Sequence, residues 1–321
     1  MRSRVHLGLL AATVIFGLNY SIAKVTMTEI PPLALVFFRT LVPALVLQVI
    51  SFRREGWGWP SRPEFFRLSY LSILGVVINQ VFFLGGLYLS NPINAAVLMT
   101  TIPVSTIAFA LFIGEESFRT RKAIGIGCAF IGSLYLVGVF RFDFSSSVLL
   151  GNVMIFVNSL SYGLFLVLAR PLLARRATVT FLAWIFTLGA VIVLPICIPE
   201  VLRTDFSRVS RAGWMGLGYI ILFSTLVAHF LNSWALRNAV PSTVGIYVFL
   251  QPVIAIGCSV AFLGDHLTGA QLASGSLVLV GVYLGAYYRP ESFPPAKDST
   301  LKAPDFPETL GPGAGEGERR D

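Results

Sequence analysis

The sequence predicts an all-α integral membrane protein: ten transmembrane helices in two inverted five-helix repeats, with both termini in the cytoplasm. Three observations lead to this fold class. Of the 321 residues, 55% are hydrophobic and 12% are charged, with a mean hydropathy of +0.77, whereas about a quarter of the residues of a soluble domain are charged. The apolar residues form runs of roughly 20, the length with which a helix crosses a hydrocarbon core of about 30 Å. The runs of the second half also repeat the proline and glycine spacing of the first half.

Ten apolar runs, separated by charged residues or by proline and glycine, are predicted to be transmembrane helices 1 to 10. They cover residues 7–25, 33–51, 66–89, 94–113, 122–140, 148–169, 179–199, 212–235, 242–263 and 270–288. The first run is too long for the apolar region of a signal peptide, and no small-residue cleavage site follows it. Residues 289–321 contain six prolines and a glycine-rich end, so we expect a disordered cytoplasmic tail.

The distribution of Lys and Arg predicts the orientation in the membrane. With a cytoplasmic N-terminus, few cations fall in the outside loops: Lys24, Arg141, Arg203, Arg208 and Arg211. All other cations except Arg39 then lie inside, as the positive-inside rule requires. The net charge of +8 is spread over many loops, so we expect the lipid bilayer and no nucleic acid as a partner. We expect a multi-pass protein of the plasma (inner) membrane.

An internal repeat divides the chain into residues 5–140 and 148–288. Prolines and glycines recur 11 residues apart in and after helices 4 and 9: Pro92 and Pro103, Pro241 and Pro252, Gly114 and Gly125, Gly264 and Gly275. Because each half has an odd number of helices, the second half enters the membrane in the opposite sense. Inverted repeats of this kind are typical of secondary transporters, whose binding site lies near the midplane between the halves.

Two stretches carry a resemblance to a known family. LQPVIAIGCSVAFLGDHLTGAQLASGSLVLVGVYL, and more weakly TIPVSTIAFALFIGEESFRTRKAIGIGCAFIGSLYL, resemble the signature of the EamA-type domain of the drug/metabolite transporter superfamily. That signature has a mid-helix proline, a glycine–acid pair at the helix end and a last helix rich in small residues. The resemblance covers residues 8–138 and 150–288, and the pair Asp265–His266 departs from it. It implies a central cavity among helices 1, 3, 4, 6, 8 and 9, and Arg39 matches an arginine often found in helix 2.

Polar side chains inside the spans are the candidate substrate-binding residues, because such groups are costly in a membrane. We predict that thirteen of them line the pocket: Asn19, Tyr20, Arg39, Asn79, Gln80, Thr100, Asn158, Tyr162, Thr225, His229, Asn232, Tyr247 and Gln251. Each could instead make only a helix–helix hydrogen bond. An aromatic wall of Tyr20, Tyr162, Trp234 and Tyr247 beside one cation favours amino acids or similar organics as substrates.

Arg39 and His229 are the ionisable groups, Cys and Tyr apart, that lie well inside a predicted span, and no Asp or Glu does. Arg39 could clamp a substrate carboxylate or phosphate, or bond to backbone carbonyls or to a loop acid such as Glu29. His229 could carry a proton or be a structural histidine. The lack of carboxylates inside the spans argues against carboxylate-mediated proton antiport, so we expect facilitated diffusion or exchange.

The sequence thus predicts a secondary transporter that moves a small organic metabolite, an amino acid or similar, by alternating access, in the direction of export. Alternatives are a nucleotide-sugar or drug-type carrier of the same fold, or a receptor or scaffold that does not transport. The motifs of intramembrane proteases and nucleotide-binding loops are absent, so we expect no enzyme, no catalytic residue, no metal and no cofactor. Gly281 and Gly285 of helix 10 favour close helix packing, with a homodimer through helix 10 as the alternative.

Overall fold

The computed structural model describes residues 2–56, 58–137, 146–254 and 269–286, and within these ranges it contains helices and no strand. The predicted tail and the Gly264–Asp265–His266 segment lie outside the described residues. The helices are numbered here to match the predicted runs. They are α1 (Arg2–Thr26), α2 (Pro32–Glu55), α3 (Arg62–Leu89), α4 (Pro92–Met99 and Thr101–Ile113), α5 (Thr120–Val137), α6 (Ser146–Arg175), α7 (Thr178–Arg203), α8 (Arg211–Asn238), α9 (Pro241–Ile254) and α10 (Gly269–Ala286).

Seven helices of the described chain are long and apolar enough to cross a membrane: α1, α2, α3, α4, α6, α7 and α8. The described parts of α9 and α10 are shorter apolar helices, and α5 carries Arg121 and Lys122 in its first turn. The predicted class, an all-α membrane protein, is therefore confirmed. Ten membrane crossings, their inverted arrangement and the cytoplasmic termini stay predictions.

Several helix starts follow directly from local sequence. Prolines occupy the first position of α2 and α9, at Pro32 and Pro241, where a missing N–H costs nothing. In α8, the side chain of Ser210 caps the helix by accepting a hydrogen bond from the backbone N–H of Gly213 at 3.1 Å. The Ser210 cap thus satisfies a donor that a helix start otherwise leaves open.

Irregular turns interrupt the same helices in the two halves of the chain. A π-helical turn lies in α3 at Ile73–Ile78 and another lies in α8 at Ile220–Val227. In the following helices, α4 is broken at Thr100 and α9 contains a 3₁₀ turn at Tyr247–Phe249. Because π turns are rare and concentrate at functional sites, they indicate that a functional site lies near the middle of these helices.

Helices of the first half pack mainly on helices of the second half. The most extensive contacts join α2 to α7, α5 to α10 and α3 to α6, and α1 lies along α8. In addition, α4 contacts both α6 and α9. The interface between the halves therefore runs through the whole bundle.

The contact between α5 and α10 depends on small residues. A Cβ atom on Gly125 would come within 2.7 Å of the backbone nitrogen of Gly285, and one on Gly281 would collide with the backbone nitrogen of Ala129. Close packing by Gly281 and Gly285 is thus confirmed, and it is used within the chain. A homodimer through helix 10 stays a prediction, and it would use the outward face with Val280 and Tyr283, which are exposed.

We expect Gly281→Ala to destabilise the protein by about 1–3 kcal/mol, because the added methyl group overpacks the α5–α10 contact. Gly275→Ala on the same helix is the matched control, since a Cβ there meets nothing within 4 Å. Thermal unfolding in detergent measures both variants. Equal losses of stability in the two variants would contradict the packing argument.

Candidate functional site

A cavity lined by seventeen residues lies inside the bundle. Its walls come from the six helices implied by the resemblance, α1, α3, α4, α6, α8 and α9, together with Arg39 of α2. Nine of the thirteen predicted residues line it: Asn19, Tyr20, Arg39, Asn79, Tyr162, His229, Asn232, Tyr247 and Gln251. The polar residues of distant spans are thus brought together around one space.

The other four predicted residues do not line the cavity. Asn158 and Thr225 lie directly behind its wall, because Asn158 Oδ1 accepts a hydrogen bond from Asn79 at 3.2 Å and Thr225 Oγ1 accepts one from Arg39. Thr100 donates to the carbonyl of Val97 within its own helix. Gln80 is buried, and neither atom of its amide has a hydrogen-bond partner. Of the expected aromatic wall, Trp234 is not among the lining residues.

Arg39 is the cationic centre of the site. It is 3% exposed, its Nε donates to Thr225 Oγ1 at 2.9 Å, and its Nη2 reaches Ser224 Oγ at 3.5 Å. The guanidinium carbon lies 6.0 Å from the centre of the Phe83 ring, a cation–π arrangement. Its Nη1 has no hydrogen-bond partner. The loop acid Glu29 bonds elsewhere, so neutral hydroxyl groups of α8 hold this charge.

His229 lies on the same helix as the two hydroxyl groups that hold Arg39. Its Nδ1 is 3.0 Å from the carbonyl oxygen of Ser224. Its ring makes T-shaped contacts with the rings of Phe16 and Phe186, with centroid separations of 5.5 and 5.8 Å. Because a carbonyl can only accept, Nδ1 carries the hydrogen in this contact. Nε2 is therefore the ring atom that can accept a hydrogen bond from a ligand.

Tyrosine hydroxyl groups tie the cavity walls together, in one case across the two halves and in the other within the second half. Tyr20 of α1 donates to Gln251 Oε1 of α9 at 2.8 Å, and Tyr162 of α6 accepts from Asn232 Nδ2 of α8 at 2.6 Å. Asn19 Oδ1 differs from these groups, because it is buried and has no partner. The cavity thus combines a satisfied polar frame with two unsatisfied groups, an acceptor at Asn19 and a donor at Arg39.

Some site residues were missed by the sequence reasoning. Thr13 and Phe16 also line the cavity. Thr13, Phe16 and Tyr20 follow one another at spacings of three and four residues, which places them on the same helix face and was a usable signal. Phe83 and Met99 line it as well. No sequence signal separates an apolar residue that faces a cavity from one that faces lipid.

Polar contacts join the two halves of the chain at both ends of the bundle. At the end predicted to be cytoplasmic, Glu116 pairs with Lys122 at 2.5 Å and also accepts from the backbone N–H and hydroxyl group of Ser242 at the start of α9. At the opposite end, Glu29 accepts from the backbone N–H and hydroxyl group of Ser210 at 2.6 and 2.8 Å. These two bonds hold the pKa of the Glu29 carboxyl below its usual value, so Glu29 stays ionised at neutral pH and loses the contact only in acid.

The described residues contain no group of three or more His, Cys, Asp or Glu side chains that could hold a metal ion. The donors in the cavity wall are amides, hydroxyl groups, one imidazole and one guanidinium. This set suits recognition of an organic molecule by hydrogen bonds and ring contacts.

Comparisons with known proteins agree with this architecture. The model of the EamA-like transporter family matches residues 3–138 and 149–286. An uncharacterized transporter of Archaeoglobus fulgidus is 26% identical over 288 residues, which is 88% of this chain and 98% of that protein. The uncharacterized inner membrane transporter YedA of Escherichia coli is 25% identical over 290 residues, covering 88% and 91% of the two chains. A solved crystal structure with 16% identity superposes with a TM-score of 0.73 over 88% of this chain and 96% of the other, which supports the fold alone.

We expect Thr225→Val to destabilise the protein by about 1–3 kcal/mol, because it removes the acceptor for a buried charged donor without changing the side-chain volume. Thr225→Ser keeps the hydroxyl group and is expected to unfold near the wild-type temperature. Thermal unfolding in detergent ranks the three proteins. If Thr225→Val and Thr225→Ser unfold at the same temperature, the bond from Arg39 Nε is not what stabilises this region.

Proposed function

We propose, from the premise that this chain belongs to the EamA-like transporter family, that it is a secondary transporter which exports a small organic metabolite, an amino acid or similar, by alternating access. The observation that carries the proposal is the cavity itself. It lies where the two halves meet, and its polar residues come from both halves. A site between two packed halves is what alternating access requires.

The helix pairing supports two halves in opposite orientation. The second helices of the two halves, α2 and α7, pack on each other, and so do the fifth helices, α5 and α10. The first helix of each half packs on the third helix of the other, as α1 on α8 and α6 on α3. A two-fold relation between inverted repeats generates these reciprocal contacts.

Alternating access requires that the contacts closing each end break in turn. At one end this is the tie between Glu116 and Ser242, and at the other it is the tie between Glu29 and Ser210. Both ties join a residue of the first half to a residue of the second half, so each lies where a gate must open. The π turns of α3 and α8 fall between these ends, at matching positions where a helix can bend.

The charges in the cavity constrain the alternatives. A nucleotide sugar carries a diphosphate, and among the lining residues Arg39 is the single permanent cation, which is too little for two phosphates. A cationic drug would meet the same guanidinium and be repelled. Facilitated diffusion or exchange stays the proposed mode, with His229 as the candidate if a proton is coupled. The name of the Escherichia coli relative supports an inner-membrane location.

The test is solute counterflow in proteoliposomes, with labelled organic acids and labelled amino acids in separate pools. We expect uptake by the wild-type protein and none above protein-free liposomes for Ala12→Phe, because Ala12 lines the cavity and is 2% exposed. A phenylalanine side chain at that position fills the space that the substrate needs.

Ala11→Phe is the matched control, because Ala11 is the preceding residue on the same helix and its side chain is exposed on the outside of the bundle. We expect it to transport like the wild type. Uptake that survives in Ala12→Phe would show that the cavity is not the route.

A further inference from the structure

The charge of the cavity is not compensated by any residue that the structure describes. Arg39 stays protonated at any physiological pH, it is nearly fully buried, and its two bonds go to neutral hydroxyl groups. Its Nη1 has no partner. A buried charge without a counter-ion is strongly destabilising, so this arrangement is incomplete unless another molecule supplies the negative charge.

The surrounding groups do not supply it. The titratable groups that share the cavity wall with Arg39 are His229, Tyr20, Tyr162 and Tyr247, and no carboxylate lines the cavity in the described chain. The acids at the two ends of the bundle have other partners, since Glu29 bonds to Ser210 and Glu116 pairs with Lys122. The empty cavity therefore carries one net positive charge when His229 is neutral.

We propose that the transported molecule is an organic monoanion whose single carboxylate binds Arg39 Nη1; this rests on the proposed transport function. Both N–H groups of Nη1 are free to donate, which suits one carboxylate oxygen or both. One cation matches one negative charge, whereas a dianion would leave an excess charge in the cavity. Asn19 Oδ1, the other unpaired atom, then accepts from a hydroxyl or N–H group of the same molecule.

The remaining wall is suited to an apolar body. The rings of Phe16, Phe83 and Tyr20 face the cavity beside these two polar groups, and aromatic walls with a few polar groups are typical of small-molecule sites. A zwitterion would bring an ammonium group that finds no carboxylate here. The charge balance therefore favours a simple organic acid over an amino acid as the substrate.

The same charge has a consequence for the transport cycle. Alternating access passes through a closed state in which the cavity is cut off from water. The loaded cavity is neutral in that state, whereas the empty cavity holds a bare guanidinium, which is costly to enclose. The loaded protein therefore changes its orientation faster than the empty protein, and exchange of anions is faster than their net movement.

The experiment uses the full-length protein in liposomes and probes that differ in charge. The anions are lactate, pyruvate, benzoate and phenylpyruvate, the neutral analogues are lactamide and benzamide, and the zwitterion is phenylalanine. We expect the wild type to transport at least one of the anions and to prefer it to its amide by roughly tenfold to a hundredfold, the effect of one charge-assisted contact. We expect Arg39→Gln to lose this preference.

A second readout separates charge compensation from structure. Uptake into liposomes preloaded with the same unlabelled anion is expected to exceed uptake into empty liposomes by at least about tenfold in the wild type. In Arg39→Gln the ratio is expected to fall towards one, because the empty cavity is then neutral. Arg208→Gln is the matched control, since Arg208 is an exposed loop residue, and it is expected to keep both the preference and the ratio.

Retention of folding is read from the elution of Arg39→Gln in size-exclusion chromatography and from its transport of the neutral amide. Transport of phenylalanine or an amide in preference to every anion would overturn the monoanion proposal and leave the transporter standing. An anion preference that persists in Arg39→Gln, or equal uptake into preloaded and empty liposomes by the wild type, would also overturn it. Movement of no probe of any charge would count against the proposed transport function as well as against this proposal.

Discussion

The site depends on how a single buried guanidinium, that of Arg39, is stabilised inside an apolar bundle. Arg39 of α2 is buried among helices that contribute no acid to the cavity in the described chain, so its charge is held by the hydroxyl groups of Ser224 and Thr225 on α8. The π turn at Ile220–Val227 contains both of these residues. The irregular turn, the hydroxyl pair and the arginine are therefore parts of one arrangement across the interface between the halves.

Two kinds of contact hold the halves together elsewhere in the bundle. Glycines on α5 and α10 bring the two backbones into direct contact, which fixes one pair of helices by van der Waals packing. Beside the cavity, the halves are joined by single side-chain hydrogen bonds instead, such as Tyr20 to Gln251 and Asn79 to Asn158. A few bonds of this kind cost little to break and re-form, which suits the proposed alternating access.

The same reasoning separates structural from functional polar groups. Asn158 and Thr225 have partners in the protein, and their role is to position Asn79 and Arg39. Asn19 Oδ1 and Arg39 Nη1 have none, and both belong to residues that line the cavity. Gln80 is also unpaired but lies outside the cavity wall, and nothing in the structure explains it. Unsatisfied atoms indicate a binding site only when they border a space that a ligand can enter.

The sequence by itself determined the all-α membrane class, because its apolar runs of roughly 20 residues have the length of membrane helices, which satisfy every backbone group within the segment. It also identified nine cavity residues, since polar side chains are costly inside a span unless they have a purpose there. Only the tertiary structure decided which residues line the cavity: Phe16 and Phe83 do, whereas Thr100, Gln80 and Trp234 do not. It also decided that hydroxyl groups, and not Glu29, hold Arg39. The physical reason is that periodicity fixes the face of a helix on which a residue lies, whereas the partner opposite that face depends on how distant helices pack and where a π turn shifts the register.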